Sequence, residues 1–279
     1  TKDTAHIELV PRFHKLEYRA IKVEVLPPYF FVMDGTMPFI LRGKIGEWQA
    51  DPWMTEQAYF NKAIPIDSNT IYIRTTHATT HRSTLGLIHK KVGHIKVQLD
   101  TTLLQAQIDG VFDVDGLLVK DPLAKKLGYV YYYRNQFFTI DSSLTFLFRQ
   151  RTIDTVQRVR LKIVSKGNSG RTTLAAPPLY INRTAAMSKH FMLVLSQRLG
   201  RNESREMLKH ASIVDVYDHS ENTYEFSFYL YHINKHRVRE FTVSHKRLIA
   251  LIDNQVSVYQ MTDRYFNPLE SRKKERQAP

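Results

Sequence analysis

The sequence predicts an all-β protein, a β-propeller of five or six meander blades, and three observations favour this fold class. Short apolar strands alternate with turn residues along most of the chain, a strand–Asp–turn–strand pattern occurs three times, and its copies are regularly spaced. A two-sheet β-sandwich is the structural alternative.

The repeated pattern is a β-hairpin whose first strand ends in aspartate. Three copies align without gaps: residues 30–39 with Asp34, residues 137–146 with Asp141, and residues 249–258 with Asp253. Aspartate at a strand end can bond the turn backbone, and the Gly, Ser and Asn that follow tolerate turn torsions. The aspartates are therefore interpreted as structural.

The spacing of the copies indicates a repeating unit. Met33 and Ile140 are 107 positions apart, and Ile140 and Ile252 are 112 apart, so a unit of about 55 residues fits five times. Intermediate units are expected near residues 86 and 196. Upstream of the second and third hairpins, residues 129–131 correspond to residues 241–243, which makes each unit at least a three-stranded meander.

The remaining elements also favour antiparallel sheet. Residues 213–218 and 224–230 predict two strands joined by a polar turn, and residues 202–209 predict a short helical turn capped by Asn202. We expect an N-terminal extension over residues 1–20, a single propeller-like domain over 21–262, and a basic C-terminal tail over 263–279.

Composition limits the classes of protein to which this chain can belong. Of 279 residues, 43% are hydrophobic, enough for a sizeable core, and the longest apolar runs fall far short of the roughly 20 residues that cross a membrane. The absence of cysteine excludes disulfides and thiol chemistry. A formal charge of +13 favours an anionic partner such as an acidic protein, a glycan, a lipid surface or nucleic acid.

A search for catalytic motifs returns none, and we predict no catalytic residue, no metal site and no cofactor. His77 and His81 have helical ligand spacing, but their surroundings favour a loop. Residues 109–116 place acids at positions 1, 5 and 7 of a calcium-loop pattern without the glutamate at position 12, so they are interpreted as turn residues.

Two groups are candidate binding residues. The first is Tyr131, Tyr133 and Arg134, which could stack on a sugar or peptide, with aromatic core packing as the alternative. The second is Arg158, Arg160 and Lys162, which strand alternation places on one face opposite Val159 and Leu161. An ordinary solvated face is the alternative for this second group.

A small motif points to export. Three sites resemble the O-glycosylation sites of certain Gram-negative envelopes, in which Asp is followed by Ser or Thr and then by one of a few mostly apolar residues; the acceptors would be Thr4, Thr101 and Thr155. Composition alone predicts about one such match. We therefore expect these hydroxyls to lie in exposed turns or strand ends and to carry sugar.

The three Asp-turn hairpins, with the strand pair around residues 214–218, resemble the extracytoplasmic six-bladed-propeller-like proteins of Gram-negative envelopes, some of which are lipoproteins. The resemblance covers residues 20–262 and brings no catalytic motif. It implies a location in the periplasm or at the outer-membrane surface, with a lipid anchor upstream of Thr1 as one form of attachment.

Two classes of function remain open, with a third disfavoured. The first is a non-enzymatic binding or scaffold subunit that docks on a larger membrane assembly for outer-membrane transport or secretion. The second is a propeller enzyme acting on a glycan, whose site residues would converge from different blades and leave no local motif. Nucleic-acid binding rests on charge alone and is disfavoured.

Overall fold

The computed structural model describes residues 6–9, 19–123, 125–166, 171–196, 204 and 206–266. The chain divides into two compact units, Thr1–Ala106 and Gln107–Pro279. Strand dominates both units, and the described helices are single turns. Neither of these short helices has the length or apolar character needed to cross a bilayer.

The first unit contains two meander sheets. Sheet 1 consists of β1 (Glu8–Leu9), β2 (Lys22–Leu26), β3 (Tyr29–Asp34), β4 (Phe39–Lys44) and β5 (Gln49–Thr55), in the order β1-β5-β4-β3-β2. Only the β1–β5 pair is parallel. Sheet 2 consists of β6 (Lys62–Pro65), β7 (Thr70–Thr76), β8 (Ser83–Lys91) and β9 (His94–Asp100), in chain order.

Strand β3 shows why these segments are continuously apolar. Phe31 and Met33 pack in a cluster that includes Ile73 of sheet 2, while Phe30 and Val32 pack in a second cluster on the opposite face. A strand covered on both faces gains hydrophobic burial from every side chain rather than from alternate ones.

The second unit contains three further meanders. Sheet 3 consists of β10 (Gly116–Lys120), β11 (Lys126–Tyr131), β12 (Gln136–Asp141) and β13 (Phe146–Arg151). A separate two-stranded hairpin follows, formed by β14 (Ile163–Lys166) and β15 (Arg171–Leu174). Sheet 4 then consists of β16 (Asn182–Met187), β17 (Phe191–Ser196), β18 (Ala211–Asp218) and β19 (Thr223–Tyr231). Sheet 5 consists of β20 (Val238–Ser244), β21 (Arg247–Ile252) and β22 (Gln255–Gln260).

Two short helices accompany these strands. Helix α1 (Met207–His210) precedes β18, and α2 (Asp263–Phe266) follows β22. Of the predicted helical turn over residues 202–209, residues 207–209 are helical and residues 204 and 206 are not, while residues 202, 203 and 205 lie outside the described part. The predicted boundaries of the propeller domain at residues 21 and 262 stay predictions.

The fold class is a β-propeller of five meander blades, two in the first unit and three in the second, so the predicted fold is confirmed. The three Asp hairpins fall in sheets 1, 3 and 5, and residues 86 and 196 fall in sheets 2 and 4, as the unit of about 55 residues predicts. The places within the sheets differ: the first hairpin is β3–β4, whereas the second is the last pair of its sheet, β12–β13.

The turn chemistry is as predicted at two of the three aspartates. Asp34 Oδ1 accepts hydrogen bonds from the amides of Thr36 and Met37, and Asp141 Oδ1 accepts two amide hydrogen bonds of its own turn. Asp253 is different: its φ of 55° places it in the left-handed region, as the first residue of a two-residue turn. Its contribution there is conformational.

Candidate functional site

The first predicted binding group lies in a turn between β11 and β12, residues 131–135, which we call the tyrosine turn. Tyr131 and Arg134 are buried, and the Arg134 guanidinium carbon lies 3.6 Å from the centroid of the Tyr131 ring. Such a separation is typical of a cation–π contact, which is stronger away from water. Tyr133 is also buried.

The tyrosine turn is held by a neighbouring strand. The Asn182 side-chain amide donates hydrogen bonds to the carbonyl oxygens of Tyr131 at 2.8 Å and Arg134 at 3.0 Å. The Ile181 amide donates to the Tyr132 carbonyl oxygen at 2.7 Å. These contacts fix the turn backbone, because each buried carbonyl has a partner that it would lack in another conformation.

An aromatic cluster covers the same turn. The rings of Tyr132 and Tyr133 both pack edge-on or tilted against Tyr180, with centroids 5.4 and 5.2 Å away. Burial, together with the hydrogen bond to Tyr180, raises the pKa of Tyr133, so its phenol stays protonated at neutral pH. The observed packing matches the core interpretation of these residues, and binding through Tyr131, Tyr133 and Arg134 stays a prediction.

The second predicted binding group lies on an extended segment, and its backbone differs from the prediction. Arg158, Arg160 and Lys162 are exposed, and Val159 between them is buried, so the predicted alternation is present. The segment is nevertheless not a strand of any sheet; strand structure begins only at Ile163. The prediction of a strand was wrong because no partner strand pairs with residues 156–162; the hydrogen bonds of their backbone come instead from Gln107 and from single amides of other segments.

Those side-chain hydrogen bonds come from one glutamine. The Val159 amide donates to Gln107 Oε1 at 2.8 Å, and Gln107 Nε2 donates to the Gln157 carbonyl oxygen at 3.1 Å. Further along, the Ala175 amide donates to the Lys162 carbonyl oxygen at 2.7 Å. The basic side chains are therefore carried by an anchored backbone.

The structure brings the two predicted groups to neighbouring places. The amide of Asn135, in the tyrosine turn, donates to the Val156 carbonyl oxygen at 2.8 Å, two residues before Arg158. Beyond Lys162 the chain continues into the β14–β15 hairpin, in which Lys166 pairs with Arg171. We call residues 156–166 and 171–174 the basic arm.

The predicted glycosylation sites are exposed where the structure describes them. Thr101 follows β9 and Thr155 follows the turn after β13, and both are exposed; Thr4 lies outside the described residues. The aspartates before them are engaged: Asp100 Oδ1 accepts from the Thr102 amide, and Asp154 Oδ1 accepts from the Val156 amide. Modification of these threonines stays a prediction.

Asp113 forms an additional structural turn. Its carboxylate accepts hydrogen bonds from the amides of Ile108 at 3.0 Å and Gly110 at 2.6 Å, and from the Gln107 amide. Burial by itself would raise the pKa of Asp113. The hydrogen bonds from these amides and from Asp109 have the larger combined effect, so the pKa of Asp113 lies below its ordinary value. Asp113, one of the acids in the calcium-like spacing, thus accepts hydrogen bonds from backbone amides. Within the described part of the chain, no cluster of three His, Asp or Glu side chains has the geometry of a metal site.

Sequence reasoning missed two aspartates of the same kind. Asp100 at the end of β9 and Asp218 at the end of β18 each accept hydrogen bonds from a hydroxyl and two amides in the next three residues. Both are followed two positions later by Thr or Ser, as Asp34 is. That Asp-x-Ser/Thr spacing at a strand end was the available signal.

Comparison with known proteins returns structural likenesses at low identity. No family model and no curated protein sequence matches the chain. A crystal structure of a nidogen–laminin complex is similar with a TM-score of 0.48 and 10% identity, covering 86% of this chain and 74% of the other. A DUF4221 family member from Bacteroides vulgatus is similar with a TM-score of 0.45 and 9% identity, covering 84% and 76%.

The β-propeller domain of Swd1 from Myceliophteria thermophila is a third similar structure, with a TM-score of 0.42, 7% identity, and coverage of 87% of this chain and 83% of the other. At such identities, and with TM-scores below 0.5, these likenesses carry no argument about the function of this chain. The functional assignment therefore rests on the residues of this chain.

Proposed function

We propose that the protein is a non-enzymatic binding or scaffold subunit, and that its basic arm docks an extended acidic segment of a partner protein. The observation that carries the proposal is the uncompensated charge of the arm. Between Asp154 and Glu203 the sequence contains no acidic residue. Five cations lie in the arm itself: Arg158, Arg160, Lys162, Lys166 and Arg171.

The geometry of the arm suits an extended partner. Arg158, Arg160 and Lys162 project at every second residue, which in extended backbone corresponds to about 6.6 Å between neighbours. A partner strand with carboxylates at every second residue has the same spacing. The β14–β15 sheet has two strands in the described part, so each strand offers one edge for a further strand to pair with.

The composition of the arm favours a protein over a nucleic acid. Residues 156–174 contain no Phe, Tyr or Trp, so the arm has no aromatic platform for stacking bases. Arginine is frequent in it, and a planar guanidinium can hold a carboxylate through two parallel hydrogen bonds. Long-range attraction by the net charge of +13 would accelerate the encounter.

We extend the proposal to the cell envelope, where the partner would be part of a membrane assembly for transport or secretion. The resemblance of the Asp-turn hairpins to extracytoplasmic propellers and the exposure of Thr101 and Thr155 support this location. Intact-mass measurement of the native protein tests it: mass added at these threonines supports export, and the mass of the bare polypeptide counts against it.

The docking proposal is tested with a charge-reversed arm, Arg158→Glu/Arg160→Glu/Lys162→Glu. The matched control, Lys22→Glu/Lys91→Glu/Lys96→Glu, changes three exposed cations of the first unit and gives the same net charge. Fluorescence anisotropy measures binding of a labelled peptide of alternating Glu and Thr, with a Gln–Thr peptide as the neutral probe. We expect the arm variant to weaken binding at least about tenfold and the control to change it little.

Equal loss in both variants would show that only net charge matters and would contradict docking at the arm. Tighter binding of duplex DNA than of the acidic peptide, at equal salt, would favour the nucleic-acid alternative. A capture experiment from native membranes tests the scaffold function separately: wild-type protein that retains no partner would contradict the function itself, whatever the peptide result.

A further inference from the structure

We propose that the second unit contains a site for a small oxyanion, a phosphate or sulfate group either free or as an ester, independent of the basic arm. The site is a cavity of about 280 Å³ at one end of sheets 4 and 5. It lies where β17 ends and where β16, β18 and β20 begin. Antiparallel pairing brings the ends of β16, β17 and β18 to one edge of sheet 4, and β20 of sheet 5 packs next to β16.

The charged side chains that line the cavity are cationic. Three arginines line it, Arg183 in β16, Arg237 directly before β20 and Arg239 in β20, and none of the described residues that line it carries a carboxylate. All three side chains are exposed, and an anion that enters the cavity would be attracted by each of them. Guanidinium groups offer paired donors that match the oxygens of a tetrahedral oxyanion.

Two hydrogen-bonding side chains, Ser212 and His232, also line the cavity. Ser212 is buried, and its hydroxyl oxygen lies 3.2 Å from His232 Nε2. His232 Nδ1 lies 3.1 Å from the Lys209 carbonyl oxygen. Because a carbonyl oxygen can only accept, Nδ1 donates its hydrogen there, which leaves Nε2 to accept from Ser212 in the neutral ring. The Ser212 hydroxyl can rotate and donate instead to an entering oxyanion.

The environment of His232 agrees with an electropositive site. Burial lowers the pKa of His232, the Lys209 hydrogen bond opposes that effect, and the nearby charges of Arg237 and His210 lower the pKa further. Burial is the main cause of the lowered pKa of His232, and Arg237 adds to it, so Arg237 lies close enough to His232 to disfavour a charged ring.

The volume and the wall of the cavity suit a small ligand. A volume of about 280 Å³ holds roughly nine waters, which is enough for a compact ligand. Apolar side chains complete the wall: Leu195, Leu208, Ala211 and Val238. Such a wall can cover the carbon skeleton of a small ester while the arginines hold its oxyanion.

Isothermal titration of the full chain tests the site with four probes: inorganic phosphate, inorganic sulfate, glucose 6-phosphate and glucose. We expect at least one of the three oxyanion probes to bind with a Kd near or below about 1 mM, and glucose not to bind. Tighter binding of glucose 6-phosphate than of inorganic phosphate would assign the ligand as an ester, and the reverse would assign it as the free ion.

Arg237→Ala/Arg239→Ala should weaken oxyanion binding at least about tenfold, because it removes two of the three guanidiniums. The matched control is Lys189→Ala/Arg247→Ala, which removes two cations near the opposite ends of sheets 4 and 5. All four positions are exposed, so the variants should fold. Equal weakening by the control, or no heat from any oxyanion up to about 10 mM, would overturn the proposal.

Discussion

Asp34 is the hydrogen-bond acceptor that organises the first Asp-turn hairpin, and its replacement by asparagine should destabilise the first unit. One carboxylate oxygen accepts from the amide of Thr36 at 2.9 Å, its hydroxyl at 2.7 Å and the amide of Met37 at 3.2 Å. The other accepts from the amides of Arg19 at 3.0 Å and Ala20 at 2.8 Å. An asparagine side chain has an NH₂ group in place of one carboxylate oxygen, and this group cannot accept hydrogen bonds from these donors.

The pKa of Asp34 gives the size of the effect. Burial raises that pKa, but the hydrogen bonds from Ala20, Thr36 and Arg19 outweigh burial and lower it from 3.8 to about 2. Each pKa unit corresponds to about 1.4 kcal/mol, so the ionised carboxylate contributes about 2 kcal/mol at neutral pH. Because the folded pKa is the lower one, this contribution is complete above the unfolded value and is lost as pH falls from about 4 to about 2.

Urea unfolding of wild type and Asp34→Asn, followed by tryptophan fluorescence, measures this loss. Both tryptophans, Trp48 and Trp53, lie in the first unit, so the signal reports the unit that contains the change. We expect a loss of about 2 to 4 kcal/mol at pH 7 that shrinks below pH 4. Asp51→Asn is the control, since Asp51 is an exposed aspartate of the same unit, and it should change stability by less than about 0.5 kcal/mol.

A loss at Asp34 that is equal at pH 7 and pH 3 would refute the electrostatic reasoning, because it would show that shape rather than charge is at stake. A loss below about 0.5 kcal/mol at pH 7 would refute the structural role of the five hydrogen bonds.

Three further changes have definite expectations. Gly86→Ala would place its methyl group 2.5 Å from the Gln98 carbonyl oxygen, and thermal unfolding should show a loss of about 1 to 3 kcal/mol. Tyr217→Phe leaves the Ile153 amide, now bonded to the hydroxyl at 3.0 Å, without that acceptor; urea unfolding should show a loss of about 1 to 3 kcal/mol, and no loss would contradict the contact. Burial lowers the pKa of His219, so stability should fall as pH drops below about 6.5, and His219→Gln should flatten that part of the profile.

The fold class was predictable because its signals are local. An apolar strand ending in Asp34 or Asp141 followed by turn residues specifies a hairpin through its own backbone chemistry, and the spacing of such hairpins carries the blade repeat. The exposed alternation of Arg158 and Arg160 around buried Val159 was also readable, because it depends only on the period of extended backbone.

The environment of each candidate residue was decided by the tertiary structure. The chain segment around Arg158 looked like a strand, but Gln107, which is distant in sequence, supplies the hydrogen bonds that a partner strand would supply. Asn182 likewise fixes the tyrosine turn from a different sheet. Such contacts depend on side chains about 50 residues away, and no local pattern records them.

The cavity of sheets 4 and 5 likewise depends on contacts that only the tertiary structure makes. Arg183 lies in β16, Ser212 lies in β18 and Arg237 directly precedes β20, and the three follow no motif. The sequence by itself predicted a strand directly after Ser212 and another shortly after Arg237, but not that the three residues lie together. Their convergence is decided by antiparallel pairing and by the packing of one sheet on the next. Sequence periodicity determines which face of a strand is apolar, whereas the position of its charged ends depends on packing contacts between distant residues.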